Sequence, residues 1–307
     1  VKAAMEDAPS QAREYKIHVL RKKSVKLTLK IDPADTVITL KDADSKKLKA
    51  ENGVYTLKAE ETYSYVAVKA GYVTKKDTIS VTEDTEKTIT MEKAPESTRK
   101  DVSAAWKNFR NSDDNMGITS AKTPTSEATT YEKGLKKLGG GWGAAPSVQI
   151  IVDNSLIVMS ANHIYKLDLN TGDILQTGDM VAATNFGYTP PTYADGMIFA
   201  PLADGRVQAF NAETLESLWV YQDTLKGQSL SPITYSDGYI YTGFWNAETK
   251  DANYVCIPVT DEDPTNAQEA KEAAWQYTSL GGFYWAGSVV RGDYVVFGTD
   301  DGTSGSD

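Results

Sequence analysis

Few side chains in this chain have the types and spacings that catalysis needs. The two histidines, His18 and His163, lie far apart in sequence, in a strand-like region and a turn. Neither has a Cys or carboxylate at metal-ligand spacing, so a zinc-type donor set is not formed. The single cysteine, Cys256, sits in Tyr254-Val255-Cys256-Ile257, which reads as a buried strand. One cysteine also excludes an intramolecular disulfide. No Gly-x-Ser-x-Gly elbow, phosphate loop or His-Glu-x-x-His sequence is present. Pairs such as Asp300-Asp301 are expected in an acidic chain and select no reaction. The run Asn111-Ser112-Asp113-Asp114-Asn115-Met116-Gly117 is oxygen-rich like a calcium loop. It lacks the downstream bidentate Glu and reads as a capped turn. Between Thr260 and Glu272, Asp261, Glu262, Asp263 and Pro264 mark a polar, outward loop where calcium is possible. No other cofactor is expected.

The stronger chemical signal is aromatic. Trp142, Phe186 with Tyr188, and Phe283 followed by Tyr284 and Trp285 fall in the short segments that lead into predicted strands, and Trp245 lies in the connection Phe244 to Asn253. Grouped on one surface, such rings stack on sugars or clasp a partner's apolar side chains; the competing reading is that they pack as core. Trp142, Phe186, Tyr188, Trp245, Tyr284 and Trp285 are therefore the candidate ligand-binding residues, and no catalytic, cofactor or metal residue is assigned.

Composition points to the elements that must carry these rings. The chain has 307 residues, enough for two cores, and 17 Tyr against 7 Phe suits half-buried sheets. No run approaches the roughly 18 apolar residues of a membrane-spanning helix. Val1 stands where an initiator Met would, so the start is uninformative about a signal peptide. The net charge of −10 is uneven: from Gly140 on there are 6 Lys and Arg against 21 Asp and Glu. That half repels phosphate backbones, which argues against nucleic acid. Arg21, Lys22, Lys23 and Lys26 make the first half mildly basic, as solvated strand faces often are.

Residues 1–14 are polar with no period and read as a leader or linker. From there, Val25, Leu27, Leu29 and Ile31 alternate with polar residues, the signature of a strand with one buried face. Similar runs at 36–41, 53–58, 63–69, 77–81 and 87–91 predict a compact β-sandwich over 15–94. Asp32-Pro33-Ala34-Asp35, Gly53-Val54-Tyr55-Thr56-Leu57 and Ala70-Gly71-Tyr72 give this segment a resemblance to PEGA and carboxypeptidase-regulatory-like sandwiches of bacterial envelope proteins. Pro95 ends it. Residues 95–140 read as a linker holding a short helix, Ser103 to Arg110, which places Trp106 and Phe109 on one face as a plug.

A repeat sets the register of the rest. Asp153, Asp195 and Asp237 recur 42 residues apart, each followed by Asn or Gly and then a strand, as a tight hairpin requires. Arg291-Gly292-Asp293-Tyr294 is a fourth copy, at a spacing of 55. A third strand follows at 164–168 and 207–211, and a fourth at 218–221 and 274–277, so that each unit is a four-stranded propeller blade. Lys166 to Gly172, Trp219, and the lead-in Trp106-Lys107-Asn108-Phe109-Arg110 resemble the quinoprotein-like (PQQ-like) β-propeller family over about 104–307.

The expected fold is all-β: a small N-terminal β-sandwich plus an incomplete β-propeller of about three and a half blades over 141–307. Units begin near Gly143, Gly187, Ser229 and Gly287, and Thr130 to Leu138 reads as an outer strand whose partners are missing. An open ring exposes edge strands, so further blades, from the rest of the chain or another copy, are expected to complete it. In the resembled family, dehydrogenases hold a quinone with a stacking Trp, calcium ligands, an Asp base and, in some, adjacent cysteines; Cys256 is alone and PQQ is not favoured. The functional expectation is a non-catalytic extracellular or cell-surface scaffold that recognises an envelope glycan or protein partner. The alternative is a quinone- or metal-dependent oxidoreductase completed by missing blades.

Overall fold

A computed structural model describes residues 2–5, 8–14, 23–122, 138–139, 141, 143–184 and 187–303. Every regular element among them is a strand. The chain divides into two compact units, one drawn from the residues up to Ala34, Thr39–Val66 and Lys76–Thr90, the other from Asp35–Ile38, Ala67–Lys75 and the chain from Met91 on.

The expected leader is not featureless: β1 (Lys2–Met5) pairs antiparallel with β2 (Ala8–Glu14), Ala3 opposite Arg13. Backbone pairing needs no side-chain period, which is why composition hid it. Seven strands follow: β3 (Ser24–Asp32), β4 (Val37–Lys41), β5 (Lys47–Leu48), β6 (Val54–Lys58), β7 (Thr62–Val68), β8 (Lys75–Ser80) and β9 (Thr85–Thr90). They form two small sheets, ordered β6-β3-β9 and β5-β4-β7-β8. Leu27 faces Tyr55 across the antiparallel β3–β6 pair and Thr85 across the parallel β3–β9 pair. Burial alternates with the strand period: Val25, Leu27, Tyr55, Leu57, Tyr63 and Tyr65 are buried, while Leu29 and Ile31 are half-buried.

The remaining strands make the propeller segment. β10 (Ala104–Trp106) lies beside a first blade of β11 (Ile150–Val152), β12 (Ser155–Ser160), β13 (His163–Asp168) and β14 (Ile174–Asp179). The second blade is β15 (Thr192–Ala194), β16 (Met197–Leu202), β17 (Arg206–Asn211) and β18 (Ser217–Gln222). The third begins with β19 (Thr234–Ser236), β20 (Tyr239–Gly243) and β21 (Asp251–Pro258), detours through β22 (Glu269–Lys271) and ends with β23 (Trp275–Leu280). β24 (Val289–Arg291) and β25 (Tyr294–Val296) form a final hairpin. The all-β, partial-propeller architecture is thus borne out, with sheets of four or five strands in three blades.

The repeating hairpin has a local cause. Asp153-Asn154, Asp195-Gly196 and Asp237-Gly238 all take positive φ at both positions, between 47° and 78°, the type I′ geometry whose twist matches that of the flanking strands. Each turn then fixes the same register, Val152 opposite Ser155, Ala194 opposite Met197 and Ser236 opposite Tyr239. The next hairpin is also repeated: Asp168 Oδ1 accepts from the N–H groups of Asn170 and Thr171, and Asn211 Oδ1 from those of Glu213 and Thr214. Core forms between neighbouring blades. Ile157, Met159 and Ile164 meet Ile198 and Phe210, and Phe199, Trp219 and Tyr221 meet Ile240, Phe244 and Val255. Hydroxyls on the first strands stitch the blades, Thr192 Oγ1 donating to Ile233 O at 3.0 Å and Thr234 Oγ1 to Ser288 O at 2.9 Å.

Two expectations are corrected. Ser103 to Arg110 is not a helix: Ala104 pairs with Val152, Trp106 pairs with Ile151, and Asn108 turns the chain by accepting from Arg110 N–H. The i, i+3 spacing of Trp106 and Phe109 suits a helix, but pairing with a distant strand edge satisfies the same backbone groups. The result is a strap along the first strands. Ser103 O accepts from Asp153 N, Lys107 O from Tyr193 N, and Asn115 Nδ2 donates to Thr234 Oγ1 and Ser288 O. His163 opens β13 instead of lying in a turn, with Nδ1 3.0 Å from Asp179 Oδ1. His18 and residues 130–137 of the expected outer strand lie outside the described residues.

Candidate functional site

The segments that lead into β15 and β24 carry Tyr188, Tyr284 and Trp285, and the β20–β21 connection carries Trp245; three strand-like contacts lace the β24 segment, this connection and the segment that leads into β19 together. Gln228 and Trp245 exchange backbone hydrogen bonds of 2.7 and 3.0 Å, Phe283 N donates to Phe244 O at 2.9 Å, and Trp285 N donates to Leu230 O at 3.2 Å. Phe244 and Phe283 are buried behind this lacing and anchor it. The backbones approach so closely that a Cβ on Gly227 would lie 2.8 Å from Phe244 Cβ, and one on Gly282 2.8 Å from Phe244 O.

In front of the lacing is a depression of about 600 Å³ lined by Tyr188, Gln228, Leu230, Trp245, Glu248, Tyr284 and Trp285. Four of the six candidate residues therefore come together. Trp142 and Phe186 lie outside the described residues. Tyr188 and Trp285 meet edge to face at 5.4 Å, Tyr284 and Trp285 at 5.7 Å, and Trp245 and Tyr284 at 6.0 Å, with planes crossing at 67–84°. Tyr188 and Trp285 are 49% and 54% exposed, whereas Trp245 and Tyr284 are half-buried. Trp285 holds φ at 64°, a conformation that bulky residues avoid and that surrounding structure must enforce.

Three further residues of this surface escaped the reading of the sequence. Leu230 stands four residues before Thr234, as Tyr188 stands before Thr192 and Trp285 before Val289, so the repeat itself was the signal. Gln228 and Glu248 carried none. Among the described residues, Gln228 Oε1 and Trp245 Nε1 are buried without a hydrogen-bond partner, leaving one acceptor and one donor unused at the depression. Tyr284 Oη donates to Asp300 Oδ2 at 2.8 Å, and that bond, with the nearby charges of Asp300, Glu248 and Asp301, raises the phenol pKa.

Other candidates for chemistry are spent structurally. Cys256 is buried in β21, where burial pushes its thiol up to about 12 and keeps the reactive thiolate from forming. Residues 263–268 of the polar loop Thr260 to Glu272 are exposed, as an outward loop requires, while Asp261, Glu269 and Lys271 are buried. β22 within it adds parallel to β18 of the preceding blade, Val220 opposite Ala270. Lys271, with its side chain 0% exposed, there bridges Glu262 and Glu269, and Arg99 pairs with Asp261 at 2.8 Å. At Asn111–Gly117, Ser112 Oγ donates to Asp114 and accepts from Met116 N–H, a turn closed on itself. No group of three metal-ligating side chains occurs among the described residues.

The family PQQ_2, described as Outer membrane protein assembly factor BamB, matches residues 137–247. The chain carries a PQQ-like β-propeller repeat. Solved structures similar to it include a europium-containing methanol dehydrogenase, at 18% identity and a TM-score of 0.40 over 58% of this chain and 32% of that one. A quinohemoprotein alcohol dehydrogenase from Comamonas testosteroni matches at 17% and 0.40, over 57% and 27%. BamB from Moraxella catarrhalis matches at 10% and 0.30, over 40% and 33%. The chain spans about a third of the length of these structures. No curated protein matches it. The lining of the aromatic depression offers no cationic partner for the quinone that some PQQ-like proteins hold. An anionic quinone needs cationic or calcium partners, and the only charged residue lining the aromatic depression is the acidic Glu248.

Proposed function

We propose that the PQQ-like repeats form a recognition scaffold, non-catalytic and presented outside the cytosol, and that the aromatic depression is its ligand face. The observation that carries this reading is the convergence of Tyr188, Trp245, Tyr284 and Trp285 from two inter-blade segments and one hairpin connection onto one depression. Rings that served only as packing would be covered on both faces, yet Tyr188 and Trp285 stand half open to solvent. The description of the matched family as an outer membrane protein assembly factor supports an envelope setting and a glycan or protein partner. No helix of the described residues is long and apolar enough to cross a membrane. The N-terminal sheets then act as a PEGA-like spacer, and further blades from the rest of the chain or another copy extend the face.

The test is Trp245→Ala combined with Trp285→Ala, assayed for capture of envelope glycans and envelope proteins alongside a folding check. Loss of capture by at least tenfold in a folded variant is expected. Unchanged capture with intact folding rejects the ligand face.

A further inference from the structure

The geometry of the four rings narrows the class of ligand, if the depression is a recognition site as proposed above. A platform for a flat sugar face presents coplanar rings. Here each consecutive pair, Tyr188 with Trp285, Trp285 with Tyr284, and Tyr284 with Trp245, crosses at 67°, 84° and 72°. Mutually steep rings are the walls of a box, the shape that surrounds a compact group. Ring faces are the negative poles of aromatic quadrupoles and attract a cation.

Charge points the same way. Glu248 is the only charged residue that lines the depression, and Lys250, two residues on, is not part of that lining. Asp300 is held to the rim by the Tyr284 hydroxyl, and the phenol of Tyr284 feels Asp300, Glu248 and Asp301 together. The unused polar atoms add a second constraint. Trp245 Nε1 and Gln228 Oε1 are sealed from solvent, so neither offers a hydrogen bond to a group in the depression, and the lining favours a group that needs none. A primary ammonium would instead bring three N–H donors to an enclosure that offers few acceptors.

We propose that the group entering the depression is a trimethylammonium of the choline class, with the four rings as walls and Glu248 as counter-charge. The methyl groups supply apolar contact to the rings, and the charge spread over them needs no hydrogen-bond acceptor. Free choline and a phosphatidylcholine headgroup share the trimethylammonium, and separate titrations distinguish them.

The experiment titrates the 307-residue chain with choline chloride, with its neutral carbon isostere 3,3-dimethylbutan-1-ol, with methyl glucoside, and with phosphatidylcholine vesicles. Choline is expected to bind about tenfold more tightly than the isostere. Glu248→Gln, which leaves every packed side chain in place, is expected to weaken choline and not the isostere. Trp245→Phe replaces an indole, the strongest cation-attracting ring, with a weaker one, and it is expected to weaken choline severalfold and the isostere less. Equal binding of choline and isostere, or binding of methyl glucoside alone, overturns the cation assignment while the recognition face stands. Binding to free choline, to vesicles or to both supports the trimethylammonium assignment, the vesicle arm naming the lipid headgroup as its source. If no probe binds, the cation assignment falls, and the capture assay of the double tryptophan variant separately decides the recognition reading.

Discussion

The propeller segment places carboxylates in two contrasting settings. Around Lys271, Glu262 and Glu269 are almost buried and committed to one ammonium, whose side chain is wholly inaccessible and also donates to Thr260 O at 2.7 Å. Around the aromatic depression, Glu248 is exposed and faces rings without a cation. A formal charge of −10 therefore says little about where the chain attracts cations. Internal pairing silences Glu262 and Glu269, whereas Glu248 at the ring-lined surface stays exposed. The sequence makes the loop look the more promising cation site; packing reverses the order.

Removing the ammonium is the sharpest way to break the comparison. Lys271→Met leaves two buried carboxylates uncompensated and is expected to cost about 3–5 kcal/mol in denaturant unfolding. By contrast, Glu248→Gln should change stability by less than about 0.5 kcal/mol. Equal effects would show that Glu248 is also structural. Next in size is Gly227→Ala, whose Cβ must displace Phe244 or the Trp245 backbone; a loss of about 1–3 kcal/mol is expected, with shifted tryptophan fluorescence reporting disturbed lacing. Trp285→Gly sharpens the other side. Relief of the positive φ offsets the lost ring contacts, so stability should stay within about 1 kcal/mol while capture falls. A loss above about 2 kcal/mol would reassign this ring to the core.

The smallest effect concerns a carboxylate quieted by a neutral partner. Burial, with the hydrogen bond from Tyr193 Oη to Asp101 Oδ1 at 2.5 Å, pushes the Tyr193 phenol from 10.0 up to about 12. The folded state thus keeps this proton longer than the unfolded one. The associated stability is complete below pH 10 and is lost as pH rises toward about 12. Tyr193→Phe should flatten that part of the stability curve without altering the acid limb, as followed by circular dichroism against pH.

How much of this was legible depended on whether the information was local. The type I′ turns were readable because Asp-Asn and Asp-Gly determine their own backbone, and three copies at one spacing turned a turn signal into an architecture. Tyr188 and Trp285 were readable for the same reason, each four residues before an innermost strand, whereas Trp245 lies in the β20–β21 connection outside that pattern. The strap was not: Ala104 and Trp106 find partners about 45 residues away, and nothing near Trp106 announces a strand edge. β22 was hidden likewise. Three residues with two charges carry no strand pattern, and their pairing is determined by the edge that β18 offers.

That pairing changes how the blades share mechanical fate. Stacked repeats ordinarily couple only through the faces they press together, so one unit can loosen while its neighbour holds. Here a segment leaves the third blade after β21, zips onto the rim of the second at Trp219, Val220 and Tyr221, and returns to complete its own sheet as β23. Neither blade can open its outer border alone. The amides of β18 should exchange with solvent in step with those of β21, making the two blades one cooperative unit with a sheltered rim.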